Sequence, residues 1–232
     1  RRRCGDDQEN RGERHQRRRT GRGERDRGIG RRSHDGRERG RRQCTTGDAR
    51  SLALEALTKV RRDDAFANLV LPTLLERVRL ERRDAAFATA LTYGTLRLRG
   101  RYDAVLSHCV DRPLGQLDDD VLDILRLGAH QLMGMRVPTH AAVSSTVDLA
   151  SDAAGRGAAA FVNAVLRRVS ERDLDAWLAV LRAEAPDAAS ALAAVESHPR
   201  WMVKAMRQAL LASGRSEEEL EALLRADNTE PE

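Results

Sequence analysis

The sequence predicts an all-α protein from Asp48 onward. Alanine and leucine are abundant, and aromatic residues make up only 3% of the chain. Apolar residues recur at helical spacing, with no sustained period-two alternation. The first helix is expected over 49–61, with Leu52, Leu54, Ala56, Leu57 and Val60 as its apolar members. The second covers about 67–78, with Pro72 near its first turn. The third starts near Arg82 and carries Ala86, Phe87, Ala90, Leu91 and Leu98. Gly94 and Gly100 weaken this region, which predicts a break near Gly100. A fourth helix holds Tyr102, Val105, Leu106, Cys109 and Val110, and Pro113 and Gly115 then mark a loop.

Residues 117–135, "LDDDVLDILRLGAHQLMGM", open on three aspartates. Acids complement the dipole of a helix start, so Asp118, Asp119 and Asp120 are expected as cap and first turn rather than as metal ligands. Val121, Ile124, Leu125, Gly128, Leu132 and Met135 keep the helical period. Pro138 starts another helix through Ala154, and Gly155 and Gly157 punctuate the chain before "FVNAVLRRV" at 161–169. On that last helix Phe161, Val162, Val165, Leu166 and Val169 form one core stripe, while Asn163 and Arg167 share the opposite face. Beyond Ser170 three or four shorter helices are expected, over 173–183, 188–196, 199–212 and 216–226. The last opens with the capping-box pair Ser216 and Glu219. About seven helices thus fall between Asp48 and Ser170, enough for one helical core, and 171–232 is expected to be a helical extension.

The N-terminal 47 residues are of another kind. Seventeen arginines against eight acids give residues 1–42 a net charge of +9, leaving −4 for the rest of a chain that totals +5. Only Cys4 and Ile29 are apolar there, too few to offset chain entropy, which predicts a disordered Arg/Gly-rich tail. Such a tail can neutralise RNA phosphates. A solvated tail with no partner, an expression remnant and translated upstream sequence are the plain alternatives, and the missing initiator Met is in keeping with a fragment or a misplaced start.

Little else suggests chemistry. Cys4, Cys44 and Cys109 are too far apart for a disulfide framework or zinc spacing, and His108–Cys109 stands alone. "GRGAAA" at 155–160 fits G-x-G-x-x-A but follows a helix, whereas a nucleotide-binding turn must follow a strand. His140 is expected to be a polar first-turn residue. No apolar run approaches the ~20 residues of a membrane span, and no signal peptide is visible, which predicts a cytoplasmic protein. Basic residues do group, at Arg61–Arg62, Arg82–Arg83, Arg97, Arg99, Arg101 and Arg167–Arg168. Several sit at helix ends, where cations gain about 0.3–1 kcal/mol from the dipole. The functional alternative is a surface that tracks phosphate, and these nine arginines are the candidate RNA contacts.

Four stretches occur together: "DDAFANLVLPTLL", "RRDAAFATALTYGTLRLRGRYD", "LDDDVLDILRLGAHQLMGMRVPTHAAVSSTVDLA" and "GAAAFVNAVLRRV". Over about residues 48–170 they resemble the NusB-like RNA-binding domain, in the version found at the N-terminus of the bacterial 16S ribosomal RNA (cytosine-5) methyltransferases. "SHPRWMVKAM" and "ADNTEPE" resemble the linker leading to the catalytic half of those enzymes. The resemblance implies two packed helical subdomains and ribosomal RNA as partner. It also implies that a Rossmann-type sheet binding S-adenosylmethionine, and a Pro-Cys motif whose thiolate adds to cytosine, would lie outside this chain. No cysteine here follows a proline, so no catalytic residue, cofactor or metal is assigned. Two other readings stay open. One is a free-standing NusB-type antitermination factor that binds RNA and a ribosomal protein; it should end near "LRRV", whereas this chain runs 62 residues beyond Ser170. The other is a helical protein–protein interaction domain.

Overall fold

The computed structural model describes residues 48–229. They form eleven α-helices and one 3₁₀ turn: α1 (Ala49–Asp63), α2 (Ala67–Arg77), α3 (Arg82–Arg97), α4 (Arg99–Cys109), the 3₁₀ turn (Leu114–Gln116), α5 (Asp119–Met133), α6 (Thr139–Ala154), α7 (Arg156–Val169), α8 (Leu174–Glu184), α9 (Ala188–Val195), α10 (Arg200–Ala212) and α11 (Glu219–Asp227). The all-α expectation holds, with seven helices up to Val169. The tail expected over 1–47 lies outside the described residues.

The centre of the fold is α5. Every residue from Val121 to Gln131 is buried, the mark of a helix surrounded on all sides. Asp118 caps it, its carboxylate accepting from the N–H groups of Asp120 and Val121, and Asp119 and Asp120 fill the first turn as expected. Around it, α1 has two faces. Ala53, Leu54 and Leu57 join the main core with α3 to α7. Ala49, Leu52 and Ala56 pack instead on Leu71 and Leu74 of α2 and Ala88 of α3, a second and smaller core.

The break expected near Gly100 falls at Leu98, and Gly100 itself lies inside the first turn of α4. Three details depart from the sequence reading. Pro72 sits in the middle of α2 rather than near its first turn. Gly155, with φ of 88°, separates α6 from α7, while Gly157 lies within α7. The expected box at Ser216 is half made. The Glu219 carboxylate accepts from the Ser216 N–H at 3.3 Å, but the helix begins at Glu219.

The helices after Ser170 pack onto the bundle. Trp177 and Leu181 of α8 and Val195 of α9 are buried in the main core. The Trp177 indole N–H donates to the Val169 carbonyl at 2.9 Å, which satisfies the polar edge of a buried ring. A third small core, Val203 and Leu210 of α10 with Leu220 and Leu224 of α11, builds outward from α9. No helix of the described residues is long and apolar enough to cross a membrane.

Candidate nucleic-acid interface

The nine arginines singled out from the sequence fall into three groups. The first belongs to an ion network. Arg61, in the last turn of α1, places Nε 2.8 Å from Asp123, Nη1 3.2 Å from Asp119 and Nη2 2.5 Å from Asp120. Arg62 reaches the same Asp120 at 2.9 Å. The aspartates expected only to start α5 thus also fasten α1 to it. Deeper in, Arg126 extends Nε and Nη2 to Asp103 at 2.7 and 2.8 Å and Nη1 to Asp123 at 2.9 Å. Burial alone would lower the pKa of both Arg126 and Arg61, but their bonded carboxylates hold each above its ordinary value.

The second group is tied to neighbouring elements. Arg101 has a side chain only 12% exposed. Its Nε donates to the Val195 carbonyl at 2.6 Å, and Nη2 lies 3.5 Å from Glu196. Burial pulls its pKa down despite Glu196. Arg101 therefore anchors the turn after α9 and is withdrawn from the surface. Arg168 donates to the Cys109 carbonyl and to Asp111 at 3.1 and 3.3 Å. Arg167 donates to Asn163 at 3.3 Å, so the shared face seen in "FVNAVLRRV" is a local helix pair. Arg97 closes α3, and its charge bears on Tyr102 and His130.

The third group faces water. Arg82 and Arg83 are exposed, with no ion pair or hydrogen bond among the described residues. They are the first two residues of α3, the end at which the dipole disfavours cations. Dipole complementarity, which accounts for arginines in a last turn, does not account for these. Arg99, the first residue of α4, is 55% exposed and among the described residues meets only Asp103, at 3.9 Å.

Between these groups lies a cavity of about 290 Å³. Leu57, Val60 and Leu96 supply its apolar wall, Thr95, Asp123 and Arg126 its buried part, Arg61 its half-buried side, and Asp64 and Arg99 its exposed mouth. Asp64 ends α1 in the left-handed conformation, with φ of 49°.

Sequence reasoning missed the buried polar residues of α5. Asp123, Arg126 and His130 follow one another at spacings of three and four, the signature of a common helical face, but the apolar period around them drew the attention. His130 sits under the backbone of α3, where a Cβ on Gly94 would come within 2.1 Å of its Nε2. The Tyr102 hydroxyl meets Nδ1 at 2.6 Å. A neutral ring that accepts there has Nε2–H left to donate to the Ala90 carbonyl. Burial takes the pKa of His130 down to about 4, with Arg97 adding to the effect against the pull of Ala90. Gln131 accepts from Arg50 at 2.8 Å and donates to Thr146 at 3.1 Å. His108 faces Glu184 at 3.4 Å, and no group of three or more metal-ligating side chains occurs among the described residues. "GRGAAA" follows helix α6 through Gly155 alone, so it does not fit the strand–loop–helix turn that a Rossmann-type S-adenosylmethionine site needs.

The fold and its surface define an all-α bundle wrapped on one central helix, with a small set of unpaired guanidiniums outside it. Residues 47–171 match the NusB family, and the chain belongs to it. The similarity to individual proteins reaches further. A Mycobacterium tuberculosis protein named as a methyltransferase is 45% identical over 196 residues, which is 84% of this chain and 42% of that protein. Ribosomal RNA small subunit methyltransferase B of Pseudomonas syringae pv. tomato is 35% identical over 182 residues, 78% of this chain and 37% of its own length. The Bacillus subtilis protein named for the same activity is 31% identical over 67% of this chain and 34% of its own length. The chain therefore spans about two fifths of the length of the curated relatives it matches.

Proposed function

We propose that residues 48–229 are the RNA-binding module of a ribosomal RNA (cytosine-5) methyltransferase, positioning 16S ribosomal RNA in the cytoplasm for a catalytic domain that lies outside this chain and carries S-adenosylmethionine. The observation that carries this reading is the extent of the similarity. It runs over 182 to 196 residues of this chain with relatives named as methyltransferases, well beyond the length of the family match at 47–171. A free-standing NusB-type factor would share the family region without α8 to α11. The unpaired Arg82 and Arg83 supply the electrostatic part, because cations held against the helix dipole are available to phosphate.

The chain should bind a 16S ribosomal RNA fragment with an affinity that falls steeply with salt, since each phosphate contact releases counterions. Reversing Arg82 and Arg83 to Glu should weaken binding and lower the slope of log K against log salt by about 2. Reversing Arg61 or Arg101 would test folding instead, as both tie helices together. Fluorescence anisotropy across a salt series measures this. No binding at low salt would sink the RNA reading and favour a protein partner, such as a ribosomal protein.

A further inference from the structure

The cavity between α1, α3, α4 and α5 keeps polar groups that the fold itself does not satisfy. Thr95 is 1% exposed and lines it. Its hydroxyl is the one buried side-chain polar atom among the described residues with no hydrogen-bond partner. The other threonines along α3 show the usual escape: Thr89 and Thr92 each turn the hydroxyl back to the carbonyl four residues earlier, at 2.8 Å. Thr95 does not, and a buried hydroxyl left unbonded is unfavourable until something bonds it. Asp123, on the same lining, accepts one N–H on each oxygen, which leaves lone pairs free. At the mouth, Arg99 has, among the described residues, only its long contact to Asp103.

The chemistry of the lining selects the ligand. Inside the cavity the guanidiniums of Arg61 and Arg126 are already bonded to aspartates, so they are taken up and do not call for an anion, and about 290 Å³ is at the lower limit of small-molecule pockets, too small for a whole dinucleotide or similar cofactor. A flat, neutral heterocycle fits: its faces meet Leu57, Val60 and Leu96, and its polar edge meets a hydroxyl and a carboxylate. RNA offers such a group when a loop or bulge splays a base out of the stack. We propose that the cavity receives one unstacked nucleobase bearing an exocyclic amine, with the amine at Asp123, an edge atom at Thr95 and the flanking phosphate at Arg99. This rests on the RNA-binding reading and extends it from a charged surface to a base-sized subsite.

The test is a titration of the methyl-labelled chain with cytidine, adenosine, guanosine and uridine 5′-monophosphates, followed by NMR. The methyl signals of Leu57, Val60 and Leu96 should shift with the three amino-bearing nucleotides and several-fold more weakly with uridine. Thr95→Val keeps the side-chain shape, should hold or raise Tm, and should weaken the amino-bearing nucleotides several-fold. Arg99→Gln should weaken all four alike. Absent shifts in the unaltered chain, or shifts that survive Thr95→Val undiminished, would overturn the proposal. The two readings fail separately. A chain that binds the ribosomal RNA fragment without cavity shifts refutes the subsite and leaves RNA binding standing. A chain that does not bind the fragment refutes RNA binding, and the mononucleotides alone then decide the cavity.

Discussion

His130 is a neutral imidazole built into a helix crossing. Its ring fills the space that a side chain on Gly94 would need, and its hydrogen bonds with Tyr102 and Ala90 suit the uncharged form. The consequence for stability has a definite sign. With the folded pKa down at about 4 and the unfolded value near 6.5, the unfolded chain binds the extra proton between those limits. Stability from this group is therefore complete above about pH 6.5 and is lost as pH falls towards 4, by roughly 3 kcal/mol in all. Urea unfolding at pH 7 and pH 5 should show about 2 kcal/mol of this loss in the unaltered chain and a smaller one in His130→Gln. Equal losses would remove His130 as the cause. Gly94 was legible in the sequence only as a weak helix residue. Its reason is a side chain 36 positions away, which no local pattern can show.

At the scale of elements, the join between α4 and the turn after α9 explains several residues together. Leu98 precedes α4 and offers no side-chain cap. The Ser197 hydroxyl supplies one from outside, accepting from the N–H groups of Gly100 and Arg101 at 2.9 and 3.4 Å. Gly100 allows the approach, since a Cβ there would lie 3.2 Å from that hydroxyl and 3.4 Å from the Ser197 backbone. Arg101 then bonds Val195 and Glu196, while Asn228 at the end of α11 donates to the Glu196 carbonyl at 2.7 Å. Ser197→Ala should cost about 1 kcal/mol, the usual loss for a helix cap, measured as a lower denaturation midpoint with an unchanged m-value. No change would mean that water caps α4 equally well. The helices themselves were readable to within a few residues because each has its own apolar stripe and most have a Pro, Gly or Asp at one end. The role of "ESHP" was not, because its partners lie about a hundred residues earlier in α4 and about thirty later at the end of α11.

For the whole molecule, the boundary of the family match and the boundary of the packed unit differ. The match closes at residue 171, but Trp177, Leu181 and Val195 complete the main core. Removing a buried Trp or Leu side chain costs on the order of 2–5 kcal/mol each, against a total stability of about 5–15 kcal/mol for an ordinary domain. A fragment of residues 48–171 should therefore melt well below 48–232, or show no cooperative transition at all by circular dichroism. Matching midpoints would show that α8 and α9 are dispensable. The candidate site was legible as a list of arginines and not as a surface. Periodicity places a guanidinium at a helix end, but only the packed chain shows that Arg61 and Arg101 are engaged while Arg82 and Arg83 stand open.

Cys109 closes α4 with its thiol 2% exposed, and burial pushes its pKa up to about 11. A thiol in that state reacts with a reagent only when the helices around it part. In a chain whose Cys4 and Cys44 have been replaced, its labelling rate would act as a stopwatch on the opening of the bundle, and any RNA that grips the helices would slow the hand.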